Sequence, residues 1–288
     1  MSDLLYGPKF LRQPKASPDA LLTSVVLARA VGSAYSVGQT KGGCALIFGL
    51  FGSKIDRLRK QVREPYSQHE NRKEAMIKLI NIGTPEAYAA LLSRFGVNAS
   101  SVHYDEVEKD WLAERVIERG DDEDMMVALR QIILTEDRLS KALEAAEQTM
   151  SAEGYEALVM EALERRIDDH RAADAKVDLL SALRELGGDA ARRAGIIALQ
   201  DRSDDVILEG IDLLESTAAE DETEALWDLF HDPFQAPRIL RRAGLCLANL
   251  AVIDPKGRDG IPEALQEDFR LESGCLIALR ARTQPVPH

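Results

Sequence analysis

At 288 residues the chain is long enough for two globular domains or one extended array, and 45% hydrophobic with 30% charged residues is ordinary for a soluble fold. Its 49 acidic residues against 36 basic give a formal net charge of −13, which repels phosphate backbones and argues against general nucleic-acid binding unless one face is locally basic. Cys44, Cys246 and Cys275 are odd in number, far apart and without C-x-x-C spacing, so they read as reduced thiols of a cytoplasmic protein.

Residues 1–45 read as a weakly packed extension, because Pro8, Pro14 and Pro18 and the stretch AVGSAYSVGQTKGG interrupt any long helix. Leu21 to Leu27 follows Lys9, Arg12 and Lys15, but Asp19 precedes the run and Arg29 cuts it short, against a secretory signal. The apolar run Cys44 to Phe51 falls well short of the ~20 residues of a membrane span. With Lys54, Arg57, Arg59 and Lys60 behind it, the segment 44–60 has one reading as an interfacial anchor. The preferred reading is a capping helix within 46–68 that hides Leu46, Phe48, Leu50 and Phe51.

Glu70 to Phe95 predicts two amphipathic helices around a tight corner. Ala75, Met76, Leu79, Ile80 and Ile82 form one stripe and Gly83 stops it; Thr84 is an N-cap and Pro85 fits the first helical position. Ala87, Leu91, Leu92 and Phe95 form the second stripe, with Glu86 and Arg94 expected in solvent. Helices this short are marginal alone, so a neighbour must cover them. The pattern recurs. Asp105 and Glu108 are expected as a capping box for a helix carrying Val107, Trp111, Leu112, Val116 and Ile117. Met125 to Ile133 fill the next helix, and Thr135 is expected to open the unit containing Leu139, Ala142, Leu143 and Ala146. Tyr155 to Leu163, Val177 to Leu186, a small-residue helix at Ala191, Ala194, Ile197 and Ala198, and apolar stripes beginning at Val206, Ala225 and Ile239 complete residues 69–252. Corners near Gly83, Gly120, Ser151, Gly187, Ala218 and Ala251 recur roughly every 30 to 37 residues, the period of a helical-pair solenoid. The fold class is therefore all-α, with about five to six helical pairs.

The apolar helix ending in Ile-Gly or Leu-Gly, the Thr-Pro-Glu-Ala restart and the Leu-Leu pair resemble HEAT repeats of the short bacterial, lyase-associated kind. More narrowly, GLFGSKIDRLRKQV, NRKEAMIKLINIGTPEAYAALLSRFGVNASS and DEVEKDWL resemble an uncharacterised bacterial HEAT-repeat family over Gly49 to about Leu134. The resemblance implies a right-handed α–α superhelix and protein binding, with Met1 to Phe48 as an extension, and it brings no catalytic residues to carry over. Short HEAT repeats also resemble bilin-lyase subunits and DNA glycosylases; the first needs a bilin groove and the second a basic face.

The C-terminal region 253–288 departs from the repeats. Phe269, Leu271, Leu276 and Ala278 alternate about Ser273-Gly274, predicting a small β-hairpin that covers the end of the stack, followed by a fraying tail from Thr283. No catalytic, cofactor or metal constellation is nominated: His69, His103, His170, His231 and His288 are scattered, and no H-E-x-x-H, G-x-S-x-G or phosphate-loop pattern occurs. The candidate partner-binding residues are two sets. One is the loop Gly96 to Asp105 with Asn98, Ser101, His103 and Tyr104, the alternative being a surface detour. The other is the arginine pairs Arg165-Arg166, Arg192-Arg193 and Arg241-Arg242, which line a groove or, more commonly for such residues, serve helix ends and solvated faces. The expected role is a cytoplasmic, non-catalytic scaffold for a protein partner, with nucleic acid and membrane disfavoured; no pattern sets an oligomeric state or names the partner.

Overall fold

The computed structural model describes residues 45–217 and 222–279, with the side chains of 45–53 excepted. Among them run twelve α-helices: α1 (Ala45–Arg63), α2 (His69–Ile82), α3 (Pro85–Leu92), α4 (Val102–Ile117), α5 (Glu123–Thr135), α6 (Ser140–Thr149), α7 (Ala152–Glu164), α8 (Ala173–Leu186), α9 (Gly188–Ala198), α10 (Asp204–Thr217), α11 (Thr223–Phe230) and α12 (Pro237–Leu250). A 3-10 turn at Glu263–Leu265 and two strands, β1 (Phe269–Glu272) and β2 (Cys275–Ala278), close the described chain. The N-terminal extension, the side chains of Leu46, Phe48, Leu50 and Phe51, Cys44, the corner at Ala218 and the tail from Thr283 lie outside the described residues. No helix among the described residues is long and apolar enough to cross a membrane.

The first corner follows from its three residues. Gly83 sits at φ +64°, where its N–H bonds the Leu79 carbonyl at 3.2 Å; the Thr84 hydroxyl then accepts from Ala87 N at 3.3 Å, and Pro85 takes the first position of α3. Ser151 caps α7 in the same way, accepting from Gly154 N at 3.2 Å. Two corners differ from expectation. Thr135 closes α5 instead of opening the next unit, its hydroxyl donating to Gln131 O. The helix α6 starts at Ser140 without a capping side chain of its own; Asp178 of α8 accepts from Leu139 N at 2.9 Å and Ser140 N at 3.2 Å instead.

The substantial helix–helix contacts all join helices one or two positions apart in sequence, among the described residues. Even-numbered helices meet as α2–α4, α4–α6, α8–α10 and α10–α12, and odd-numbered ones as α3–α5, α5–α7 and α7–α9, giving two rows. Two apolar clusters fill the space between them, one from Ile55 to Leu213 and one from Leu199 to Leu276, and α10 feeds both: Val206 and Leu213 enter the first, Ile207, Ile211 and Leu214 the second. At that seam α9 approaches α10 very closely. A Cβ on Gly210 would lie 2.6 Å from Ala198 Cβ, and one on Gly195 2.7 Å from Leu214 Cγ, so the small-residue face of α9 is what permits the packing.

The β-hairpin forms as its alternation predicts. Glu272 pairs with Cys275, and Ser273 and Gly274 both take positive φ, 54° and 83°, the conformation a two-residue turn of the primed type demands. Phe269 and Leu276 are buried, Phe269 meeting Phe230 edge-on at 5.9 Å, so the sheet covers α12 at the end of the rows.

Candidate binding surfaces

The expected recognition loop is shorter than its sequence suggests, because α4 begins at Val102, and its start is held by buried charge. Asp105 and Glu108 do not form a capping box: the cap position is Ser101, which makes no side-chain cap bond, and both carboxylates point into the protein. Glu108 accepts from Arg72 Nε at 2.9 Å and from Arg94 Nε at 2.8 Å, while His69 Nδ1 lies 2.7 Å away. Asp105 accepts from Arg94 Nη2 at 2.6 Å and from Ala99 N at 2.6 Å, and Lys109 Nζ lies 2.8 Å from its second oxygen. Arg94 is therefore buried, 1% exposed, rather than solvated; its Nη1 also donates to Val97 O, as Arg72 Nη1 does to Ser67 O. The cost of burying these charges is offset by the charge-assisted hydrogen bonds that Arg72 Nε and Nη1 and all three nitrogens of Arg94 make. Burial alone would push Glu108 upward; the hydrogen bonds from Arg72, His69 and Arg94 reverse that and hold it below the ordinary carboxylate value. Val107, expected on the inner stripe, faces outward, because Asp105, Glu108 and Leu112 occupy the inner positions of α4.

Of the loop candidates, Asn98 is exposed and accepts from Lys109 Nζ at 2.9 Å. Ser101 is half-buried at the helix start. His103 and Tyr104 are exposed, with Tyr104 stacked on His69 at 4.8 Å. Asn98 and Lys109 line a cleft of about 470 Å³ with Arg138, Lys141, Asp174 and Asp178, whereas Ser101, His103 and Tyr104 are not among the residues lining it.

The paired arginines have separate environments. Arg166 is buried and donates to three carbonyls, Ala162 at 2.9 Å, Ile133 at 2.9 Å and Glu136 at 2.8 Å, tying the end of α7 to the end of α5. Burial lowers its affinity for the proton from the usual guanidinium range. Arg165 is exposed and pairs with Glu161 at 2.6 Å on its own helix. Arg192 pairs with Asp189 and lies 3.4 Å from Glu222, while Arg193 is exposed. Arg241 meets Asp268 at 2.9 Å, and Arg242 bridges Asp212 and Glu215 of α10. Lys176, which no sequence pattern marked, plays the part of Arg166 one unit on: 2% exposed, it donates to Ile167 O at 3.0 Å and meets Asp201 at 2.5 Å.

A different surface is continuous. The C-terminal ends of α7 and α9 flank a cleft of about 620 Å³ whose walls include Leu163, Ile167, Ile196 and Ile197. A second cleft, of about 450 Å³, shares Ile196, Gln200 and Asp201 with it and extends past Ala225 and Leu229 of α11. Ile167 is 44% exposed at one end, and Asp232 and Gln235 line the other. Ile167 is exposed and Ile196 and Ile197 are half-buried, so part of the wall is apolar and reachable from solvent, as in an interaction surface. Among the described residues there is no group of three or more His, Cys, Asp or Glu side chains placed to hold a metal ion.

No protein-family model matches the chain, and no curated protein matches it. Among solved structures, human deoxyhypusine hydroxylase in complex with glycerol is similar at 16% identity over 72% of this chain and 88% of that one, with a TM-score of 0.28, a likeness that carries no argument about fold or activity.

Proposed function

We propose that the protein is a non-catalytic, cytoplasmic protein–protein interaction scaffold, a right-handed superhelix of about five to six HEAT-like helical pairs of the short bacterial kind that holds a protein partner along its second helices. Contacts confined to neighbouring helices support the repeat reading, since a solenoid packs each unit only on the next. The observation that carries the functional reading is the groove joining the ends of α7, α9 and α11, with Ile167, Ile196 and Ile197 on its walls. Apolar side chains spaced along helix ends suit an extended segment gripped by distributed contacts.

The test uses the full chain, affinity-tagged, with Ile167→Glu and Ile196→Glu introduced together. Ile167 is exposed, whereas Ile196 is half-buried against the second apolar cluster, so Ile167→Glu alone is assayed beside the double variant. Recovery of a specific partner from the native host is expected to drop at least about tenfold with the melting temperature unchanged, because desolvating two carboxylates opposes apolar docking. Recovery equal to that of the unaltered protein contradicts the reading.

A further inference from the structure

The row of even-numbered helices has one loose junction. Where α4–α6 and α8–α10 pack closely, α6 and α8 do not, and a cleft of about 290 Å³ opens between them. Ser181 and Ala182, facing it from α8, are too small to fill the gap. At its base lies Tyr155 of α7, 4% exposed. The Tyr155 hydroxyl makes no hydrogen bond to the described residues and reaches solvent through the cleft.

The rim is acidic, and its carboxylates are not equivalent. Glu144 is taken by Lys141 at 2.7 Å, and Asp178 by the backbone N–H groups at the start of α6. Glu147 of α6 and Glu185 of α8 are exposed and have no cationic partner among the described residues. Burial, and then the charges of these two glutamates, push the Tyr155 hydroxyl well above the ordinary tyrosine value, so it stays protonated and its oxygen remains an acceptor.

We infer that this cleft binds a primary alkylammonium group, whose three N–H donors match the two unpaired carboxylates of Glu147 and Glu185 and the hydroxyl oxygen of Tyr155. A hard metal cation is a poorer match, since it asks for several converging oxygens. The cleft lies between α6 and α8, away from the groove of α7, α9 and α11, and the inference stands independently of that groove.

Two sources carry the same chemistry, a free diamine and a lysine side chain of another protein. Titration calorimetry on the full chain at low ionic strength, with cadaverine in one arm and blocked Gly-Gly-Lys-Gly-Gly in the other, separates them. Saturable binding with 1:1 stoichiometry is expected in at least one arm. It should weaken at least about tenfold in the Glu147→Gln/Glu185→Gln variant and about threefold in Tyr155→Phe, which keeps the ring and the packing. Binding of the peptide with this sensitivity assigns the site to a protein lysine, and binding of cadaverine alone assigns it to a free diamine. No saturable binding in either arm, or binding that the double glutamine variant leaves unchanged, overturns the inference. Its failure would leave partner recovery by Ile167 and Ile196 untouched, and the reverse also holds.

Discussion

Arg94 Nε and Glu108 Oε2 lie 2.8 Å apart, joining the turn after α3 to the middle of α4, and neither side chain is more than 1% exposed. Arg72 approaches the same carboxylate from α2, so one acid holds two guanidinium groups, one from a helix and one from the turn after α3. Glu108→Ala would strand both. The expected loss is about 3–5 kcal/mol of unfolding free energy by urea titration, the usual consequence of leaving buried charge uncompensated. A loss below about 1 kcal/mol would mean that the cluster is solvated.

The same cluster sets an acid limit. For Asp105, burial pushes upward, but Lys109, Arg94 and the Ala99 N–H bring it below the ordinary value, as Glu108 is brought below its own. A carboxylate depressed in the folded state contributes stability that is present above its unfolded value and lost as pH falls through the folded one. The urea midpoint should therefore decline from about pH 5 downward and continue falling below about pH 4. Glu108→Gln should flatten part of that decline while lowering the neutral-pH midpoint.

Adjacent arginines should differ sharply. Arg166→Met removes the donors to Ile133, Glu136 and Ala162 carbonyls and should cost about 2–4 kcal/mol, since buried acceptors are left unmet. Arg165→Met breaks only an exposed pair with Glu161 and should cost less than about 1 kcal/mol. Thermal or urea unfolding of the two variants side by side measures the difference.

Gly210→Ala places a methyl group 2.6 Å from Ala198 Cβ and 3.2 Å from Gly195 O, both on a packed helix. Overpacking of this kind should cost about 1–3 kcal/mol despite the better helix propensity of alanine. Ser140→Ala, at an exposed helical site, should stay within about 0.5 kcal/mol of neutral, and paired urea titrations check both.

Much of the framework is legible in the residues. Gly83-Thr84-Pro85 announces a corner through its backbone chemistry alone, and Ser273-Gly274 between alternating residues announces a hairpin. Periodicity misleads where charge is buried. Arg72, Arg94, Glu108 and Lys176 occupy inward positions, yet a stripe drawn from apolar residues alone leaves Arg94 to solvent, makes Asp105 and Glu108 a capping box, turns Val107 inward and passes over Arg72 and Lys176. Their signal is positional: Asp105, Glu108, Leu112 and Val116 share one helical face, which becomes visible only when charged residues are allowed onto it. The groove and the acidic cleft are less legible still. Ile167 and Ile196 come together across helix ends, and Ser181 and Ala182 open a gap only because α6 stands opposite.

Site-specific photo-crosslinking addresses the scaffold reading most directly. With p-benzoylphenylalanine placed singly at Ile167, Ile197 and Gln200 along the groove, and at Glu114 on the exposed face of α4 as the control, the protein is irradiated in its native lysate. One and the same partner should be captured from all three groove positions and not from Glu114. Capture that is equal at Glu114, or absent from every groove position, would contradict the account.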